Sequence, residues 1–182
     1  MYYIFIQDNK INGCGQCRIL NDDVINYEVE ESFYNEFAEN PEKYIWDGSQ
    51  VVENPNYEEE QAKKEKARIQ ELFMTRSDFF DGTIMAWGVD ENALLPLIAS
   101  MVNSMPLDDR LKLKAMNNFK NALNFYRKHD LFNLLVNIPL QLSESVQVII
   151  TDEHLDKFFD EVAKGNKDSA WQYLPQPMAI NQ

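Results

Sequence analysis

The chain has 182 residues, of which 45% are hydrophobic and 26% are charged, as in an ordinary globular protein. No apolar run approaches the ~18 residues of a membrane span, and no charged-then-apolar leader marks the chain for secretion. Thirty acidic residues against seventeen Lys and Arg give a net charge of −13, which disfavours nucleic-acid and anionic-membrane binding and favours a basic partner.

The chain begins with segments that favour a small antiparallel sheet. The stretch YYIFIQDNKINGCGQCRIL predicts two strands joined by a turn at Asp8-Asn9-Lys10, because Tyr, Ile and Phe fit a pleated surface. Asn12 and Gly13 tolerate positive φ and predict a bulge in the second strand. Alternation in VINYEVEE, residues 24–31, predicts a third strand with one solvated face.

Next come a short helix and a second hairpin. The helix is predicted to start at Ser32 and to stop before Pro41, since proline cannot continue a helix. The strand pair that follows is predicted to turn at Asp47-Gly48. Residues 1–54 are therefore predicted to form one β-rich domain.

Two cysteines, Cys14 and Cys17, lie in the second predicted strand and the turn after it. A redox pair needs its first thiol at a helix N-terminus, and the segment that follows reads as strand and turn. A structural zinc needs four ligands, and only His129 and His154 could add to the thiols, both far away in the helical part. We therefore interpret the two cysteines as hairpin residues in a reducing cytoplasm, and predict neither a metal nor a cofactor.

The rest of the chain is predicted to be helical. Residues 55–74 are charged, with Glu59 and Glu60 four positions before Lys63 and Lys64, and predict a solvated linking helix. Residues 75–165 predict a helical domain, and residues 166–182 a tail that is either disordered or attached to a neighbouring element. The predicted fold class is thus α+β: a small acidic β-rich N-terminal domain, a bridging helix and a helical C-terminal domain.

Capping patterns predict where the helices of this domain begin. Thr75 and Asp78 form a capping box before a helix with Phe79, Phe80, Ile84 and Trp87, ending at Gly88. Asp90 is predicted to cap the next helix, and Thr151 a later one that ends at Gly165. The apolar face of that later helix is predicted to consist of Leu155, Phe158, Phe159 and Val162.

One further helix is predicted to follow Pro106. Its proposed apolar face holds Leu111, Ala115, Phe119, Leu123 and Tyr126. The segment SVQVII, residues 145–150, is ambiguous, since it is β-branched and has no evident partner strand.

No catalytic constellation is predicted. His129 is predicted to lie at the C-terminal end of a helix beside other cations, and His154 to be exposed in a first helical turn. Neither Ser143 nor Ser145 has a Gly-x-Ser-x-Gly setting, and no glycine-rich phosphate loop is visible. We therefore predict a protein that is not an enzyme.

Acidic residues are concentrated near the start of the chain. Residues 1–60 hold fourteen Asp and Glu against three Lys and Arg, whereas residues 61–182 hold sixteen against fourteen. Such a surface can simply improve solubility, or it can attract a basic partner and imitate a phosphate backbone. The predicted partner-binding residues are Asp22, Asp23, Glu28, Glu30, Glu31, Glu36, Glu39 and Glu42.

Several segments resemble small accessory proteins encoded near the tail genes of phages and prophages of Gram-positive bacteria. They are YYIFIQDNKINGCGQ, NPNYEEEQAKKEKARIQEL, MTRSDFFDGTI, NALNFYRKHDLFNLL and TDEHLDKFF, and the similarity as a whole extends over most of residues 1–165 through loose patterns. The similarity departs at QLSESVQVII, residues 141–150, which looks like an insertion, and it does not extend to the tail. The resemblance implies a phage or mobile-element origin and a binding role, and it supplies no catalytic residues.

In size, charge and origin the chain also resembles the anti-CRISPR inhibitors as a class. That resemblance implies an inhibitor, in the cytoplasm of a bacterial host cell, that presents carboxylates to a CRISPR effector nuclease with or without its guide RNA. No direct DNA binding by the acidic domain and no membrane partner is expected. The alternative is a phage tail or baseplate accessory protein that forms homo-oligomers through Phe79, Phe80 and Trp87.

Overall fold

A computed structural model describes residues 1–180 and divides the chain between Lys64 and Glu65 into two units. Helices account for 50% of the structure and strands for 23%, and the sheets are small and antiparallel. The predicted α+β fold class is therefore confirmed.

A three-stranded sheet forms the start of the first unit. Its strands are β1 (Tyr2–Gln7), β2 (Lys10–Gly15) and β3 (Ile25–Val29), in the antiparallel order β2-β1-β3. Asp8 and Asn9 have φ values of 51° and 60°, as a tight two-residue hairpin turn requires, so the predicted turn is confirmed. The register shifts so that Asn12 faces no residue of β1, which confirms the predicted bulge.

The remaining elements of the first unit close a small core. They are α1 (Glu31–Glu39), a 3-10 helix (Pro41–Lys43), β4 (Tyr44–Trp46), β5 (Val51–Glu53) and the start of α2 (Tyr57–Gln70). β4 and β5 pair as the hairpin that Asp47-Gly48 predicts. The core consists of Ile4, Ile6, Phe37 and Tyr44, all nearly inaccessible to solvent.

α2 carries charge along most of its length. No side chain in it is buried, in agreement with the solvated helix expected from its sequence. The predicted end at residue 74 is wrong, because the helix stops at Gln70 and residues 73–75 form a strand in which Met74 is buried. The predicted pair of Glu59 with Lys63 forms at 2.6 Å. Lys64 instead reaches Glu42, also at 2.6 Å, so its expected pairing with Glu60 is wrong.

Six helices and two small sheets make up the rest of the second unit within the described residues. The helices are α3 (Arg76–Trp87), α4 (Glu91–Ser104), α5 (Asp109–Asn121), α6 (Asp130–Leu135), α7 (Asp152–Ala163) and α8 (Lys167–Ala170). A 3-10 helix (Trp171–Tyr173) follows α8. The strands are β6 (Phe73–Thr75), β7 (Asn124–Tyr126), β8 (Pro139–Ser143), β9 (Val146–Ile149) and β10 (Met178–Ala179).

The predicted helix starts of this unit are confirmed. Thr75 and Asp78 form a complete capping box, Asp90 caps α4, and the Thr151 side chain accepts from the backbone of His154. Gly88 ends α3 with a φ of 68°, which glycine adopts at little cost. The apolar face of α7 lies in a core of aromatic rings that includes Phe79, Phe119, Phe125, Phe132, Phe158 and Phe159.

The prediction for the helix after Pro106 is wrong beyond Asn121, where the helix has ended, and at Leu111, which is not on the buried face. Leu111 and Leu123 are 56% and 82% exposed, and residues 124–126 are in β7, which pairs with β6. A distant side chain binds carbonyls at the end of the helix. Arg76 Nη1 donates to Phe119 O at 2.7 Å and to Ala122 O at 3.2 Å.

The expectation that SVQVII lacks a partner strand is also wrong. Val146–Ile149 forms β9, the central strand of a sheet with the order β10-β9-β8. β10 belongs to the predicted tail, where Leu174 is buried and Pro175 O accepts from Trp87 Nε1 at 2.8 Å. Of the two alternatives for the tail, attachment is the one found up to residue 180; Asn181 and Gln182 lie outside the described residues.

Both histidines cap helices. His129 lies before α6 and its Nδ1 accepts from the Leu131 backbone at 3.1 Å, so the predicted C-terminal position is wrong. Burial lowers the pKa of His129, which keeps Nδ1 available as an acceptor near neutral pH. His154 is half-buried against Thr151 and not exposed as predicted.

Arg127 lies fully buried between β7 and α7. Its Nε donates to Asp156 Oδ1 at 2.6 Å, and its Nη2 binds Asp152. The two acceptors differ in environment, since Asp156 is 22% exposed and Asp152 is 64% exposed. The buried charge therefore depends more on Asp156 than on Asp152.

Replacing the two acids one at a time tests this assignment. We expect Asp156→Asn to lower the free energy of unfolding by about 3 kcal/mol, because it leaves the fully buried Arg127 without its better-buried charged partner. Asp152→Asn should cost less than about 1 kcal/mol, because solvent screens its carboxylate. Urea unfolding of both variants measures the difference, and equal losses would contradict the assignment.

Candidate partner-binding surface

All eight predicted partner-binding acids are exposed. Asp22 and Asp23 lie in the loop between β2 and β3, and Glu28 lies on β3. Glu30 immediately precedes α1, and the remaining four lie on α1 or in the 3-10 helix after it: Glu31, Glu36, Glu39 and Glu42. The set therefore follows a continuous part of the first unit, from residue 22 to residue 42.

α1 separates its acids from its core-facing side chain. At ~100° per residue, Glu31, Glu36 and Glu39 fall within an arc of about 140° around the helix axis. Phe37, which is 1% exposed, lies about 100° from the nearest edge of that arc. Amphipathic spacing thus directs the three carboxylates to solvent while Phe37 closes the core.

The loop that carries Asp22 and Asp23 is held in place by Asn26. The backbone N–H of Ile19 donates to Asn26 Oδ1 at 2.8 Å, and Asn26 Nδ2 donates to Ile19 O and Val24 O at 3.0 and 3.3 Å. Asn21 Oδ1 accepts from the backbone of Asp23 at 3.0 Å. The alternation of polar and apolar residues in β3 identified Asn26 only as a polar position. Its hydrogen bonds to the loop could not be predicted from that.

Three of the eight acids have a cation within ion-pair distance. Glu28 lies 3.7 Å from Arg18, Glu36 lies 3.1 Å from Lys43, and Glu42 lies 2.6 Å from Lys64. The Tyr44 hydroxyl, followed by Lys43, lowers the pKa of Glu36, and the hydrogen bond from Lys64 is the main cause of the lowered pKa of Glu42. These two carboxylates are ionised at neutral pH and already have partners within the chain.

The other five carry negative charge without such compensation. Within residues 1–180, no Lys, Arg or His lies within 4.0 Å of the carboxylates of Asp22, Asp23, Glu30, Glu31 or Glu39. Ionised carboxylates in this setting repel one another and attract a cationic surface. These five residues, which we call the acidic surface, are the part of the predicted set most available to a partner.

The two cysteines lie in and just after the β1–β2 hairpin. Cys14 is half-buried on β2 and Cys17 is exposed in the following loop; both are free thiols. The hairpin prediction is confirmed, since Cys14 pairs with Ile4 across the β1–β2 ladder. No cluster of three or more His, Cys, Asp and Glu side chains suited to a metal ion occurs within residues 1–180.

The aromatic contact surface predicted for the tail-assembly alternative is wrong. Phe79 and Phe80 are each 4% exposed and belong to the core of the second unit, and Trp87 is half-buried with its Nε1 bonded to Pro175 O. Large apolar side chains are instead exposed on and after α5: Leu111, Leu113 and Leu123.

Comparison with protein-family models, curated proteins and solved structures finds no match for this chain. In the described part of the chain, no helix combines the length and apolar character needed to cross a membrane. Function is therefore inferred from the residues and their arrangement.

Removing the Asn26 side chain tests whether it orders the acidic loop. Because Asn26→Ala deletes a hydrogen bond worth about 1 kcal/mol, we expect the amide of Ile19 to exchange its hydrogen about fivefold faster. Asn12→Ala is the matched control, since Asn12 Nδ2 donates to the Gln7 side chain and not to the loop backbone. Unchanged exchange at Ile19 in the Asn26 variant would show that the loop is held by other contacts.

Proposed function

We propose that this protein is a non-enzymatic inhibitor that binds a basic, nucleic-acid-handling protein through its acidic surface. The observation that carries the proposal is the set of five exposed carboxylates without an ion-pair partner in a unit that has few cations. A surface that served only solubility would be expected to mix charges of both signs.

The net negative charge of the first unit favours a positively charged partner. Residues 1–64 hold fourteen Asp and Glu against five Lys and Arg, so phosphate backbones and anionic membranes are repelled. A protein that binds nucleic acid presents the opposite potential along its cleft, and complementary potentials increase association rates. Carboxylates placed in that cleft compete with phosphates for the same Lys and Arg side chains.

A CRISPR effector nuclease is the most concrete partner. The size, charge and phage-like character of the chain resemble those of anti-CRISPR inhibitors, and such a nuclease has a basic channel for its nucleic acid. The proposed complex blocks target DNA by occupying that channel, whether or not the guide RNA is already bound. The host cytoplasm is the compartment in which this encounter would take place.

A second candidate function is self-association during virion assembly. The observation that favours it is the exposure of Leu111 (56%), Leu113 (62%) and Leu123 (82%) in the second unit. Leu111 and Leu113 lie about 200° apart around α5 and face different sides of the helix, and each exposed leucine would gain free energy if a second copy buried it. This candidate predicts a defined homo-oligomer whose stability does not fall with salt.

Charge reversal separates the two candidates. We expect the fourfold variant Asp22→Lys, Asp23→Lys, Glu30→Lys and Glu39→Lys to bind its nuclease at least 100-fold more weakly, because repulsion replaces attraction. The measurement is binding, with inhibition of DNA cleavage, against a panel of purified CRISPR effector nucleases from Gram-positive bacteria, each with and without guide RNA.

A control variant with the same change in net charge tests whether the weaker binding is specific to the acidic surface. Asp81, Asp109, Glu144 and Asp168 are exposed acids of the second unit, and their replacement by Lys should leave binding within about threefold of the parent. Circular dichroism shows whether each variant is folded. Equal loss in both folded variants, or no nuclease bound by the parent chain, would overturn the proposal.

A further inference from the structure

Helix α5 carries most of the Lys and Arg side chains that have no ion-pair partner in the described residues. The chain has seventeen Lys and Arg, and eleven of them lie within 4.0 Å of an Asp or Glu carboxylate. Four of the other six lie on α5: Arg110, Lys112, Lys114 and Lys120. This helix therefore differs from the rest of the chain, in which most cations are already paired.

Three of these cations share one side of the helix. At ~100° per residue, six exposed residues fall within an arc of about 120° around the helix axis: Arg110, Leu113, Lys114, Asn117, Lys120 and Asn121. We call this side of α5 the basic face. Leu113 is 62% exposed within it, whereas Phe119, which is 0% exposed, lies about 160° from the middle of the arc.

The acids near α5 lie outside the basic face. Asp108 precedes the helix, where its Oδ1 accepts from the backbone of Arg110 at 2.9 Å, and Asp109 is the first helical residue. Asp130 borders the groove beside Lys114, but no cation lies within 4.0 Å of its carboxylate in the described part of the chain. From residue 112 to residue 121 the helix has three Lys and no acid, so positive charge remains uncompensated there.

The acidic surface has complementary properties. Its five carboxylates have no cation within 4.0 Å in the described residues, since Arg18, Lys43 and Lys64 pair with other acids. Leu20, which is 99% exposed, lies in the loop that also holds Asp22 and Asp23. Both surfaces thus combine unpaired charge with an exposed leucine, and their charges have opposite sign.

A second copy of this chain fits the basic face better than a nucleic acid does. A phosphate backbone could meet the cations, but it offers little apolar surface to Leu113, and the negative first unit repels it. A second copy supplies carboxylates and Leu20 from one loop. The net charge of −13 makes two copies repel each other, but near 0.1 M salt this repulsion is screened beyond about 10 Å, whereas ion-pair contacts are shorter.

We propose that the basic face binds the acidic surface of a second copy of this chain. The two surfaces differ, so the association is heterologous: each copy uses its basic face towards one neighbour and its acidic surface towards another. Self-association covers the carboxylates assigned to the nuclease contact, so a nuclease would compete with it. The inference goes beyond the proposed function and does not depend on it.

Sedimentation velocity of the full-length protein tests the contact. Near 0.1 M salt we expect the mean mass to rise with protein concentration. At about 1 M salt, where the screening length falls to about 3 Å, we expect association to be about tenfold weaker. A chain that stays monomeric at every concentration near 0.1 M salt, or that associates equally at both salt concentrations, would overturn the proposal. Because the chain itself is the only component, the result is independent of whether any nuclease binds.

Neutralising substitutions test whether the basic face is responsible. The basic-face variant carries Arg110→Gln, Lys114→Gln and Lys120→Gln. It should associate about tenfold more weakly than the parent, because three charge–charge contacts are lost, and glutamine keeps the helix propensity. The control makes the same change in net charge at exposed positions outside α5: Lys10→Gln, Lys63→Gln and Lys66→Gln. It should stay within about threefold of the parent. Circular dichroism shows whether each variant is folded, and equal association of the two folded variants would contradict the assignment.

A mixture of two variants tests the heterologous arrangement. The acidic-surface variant carries Asp22→Asn, Asp23→Asn, Glu30→Gln and Glu39→Gln, and it should also lose self-association. Mixed with the basic-face variant, it should form a one-to-one complex that does not grow, because only one pair of intact surfaces remains. Absence of that complex would overturn the proposal. So would a labelled DNA duplex that binds the parent and not the basic-face variant while both variants still self-associate, since the basic face would then belong to a nucleic acid.

Discussion

Repulsion among carboxylates is the constraint under which the first unit folds. Residues 1–64 carry fourteen Asp and Glu against five Lys and Arg, yet the unit has a core of only a few fully buried side chains. The fold meets the constraint by placing its acids in solvent and its scarce cations next to some of them. Lys43 lies 3.1 Å from both Glu36 and Glu53, so one ammonium serves two carboxylates.

The charge that remains has a direct consequence for binding. Net charge of one sign destabilises a compact state by self-repulsion, and a cationic partner relieves that repulsion when it binds. In the proposed complex, the same residues that cost the free protein stability would favour binding. The second unit is built differently, since charges of both signs lie close together there, as in the pairs of Arg68 with Asp160 and Lys167 with Asp78.

Features that depend on residues close together in the chain could be predicted from the sequence. The turn at Asp8-Asn9, the capping box at Thr75 and the helix start at Thr151 involve residues at most a few positions apart, and their positions could be predicted. The exposure of the acids followed in the same way from strand alternation and helical spacing. The concentration of acids was visible in the sequence, but which of them lack an ion-pair partner depended on the fold.

Signals that act across long stretches of chain were not visible in the sequence. α5 ends where Arg76, from the start of α3, binds its last carbonyls, and β9 is a strand because β8 and β10 lie on either side of it. Asn26 contributes to the acidic loop through contacts that a polar position in a strand does not reveal.

The most direct test of the acidic surface is a pull-down from a lysate of a Gram-positive bacterium with the purified protein, washed at low and then at high salt. The account predicts recovery of a basic nuclease that elutes as salt rises, because screening shortens the range of charge–charge attraction to about 10 Å near 0.1 M. Recovery only of the protein itself or of virion proteins, retained at high salt, would contradict it and favour an assembly role.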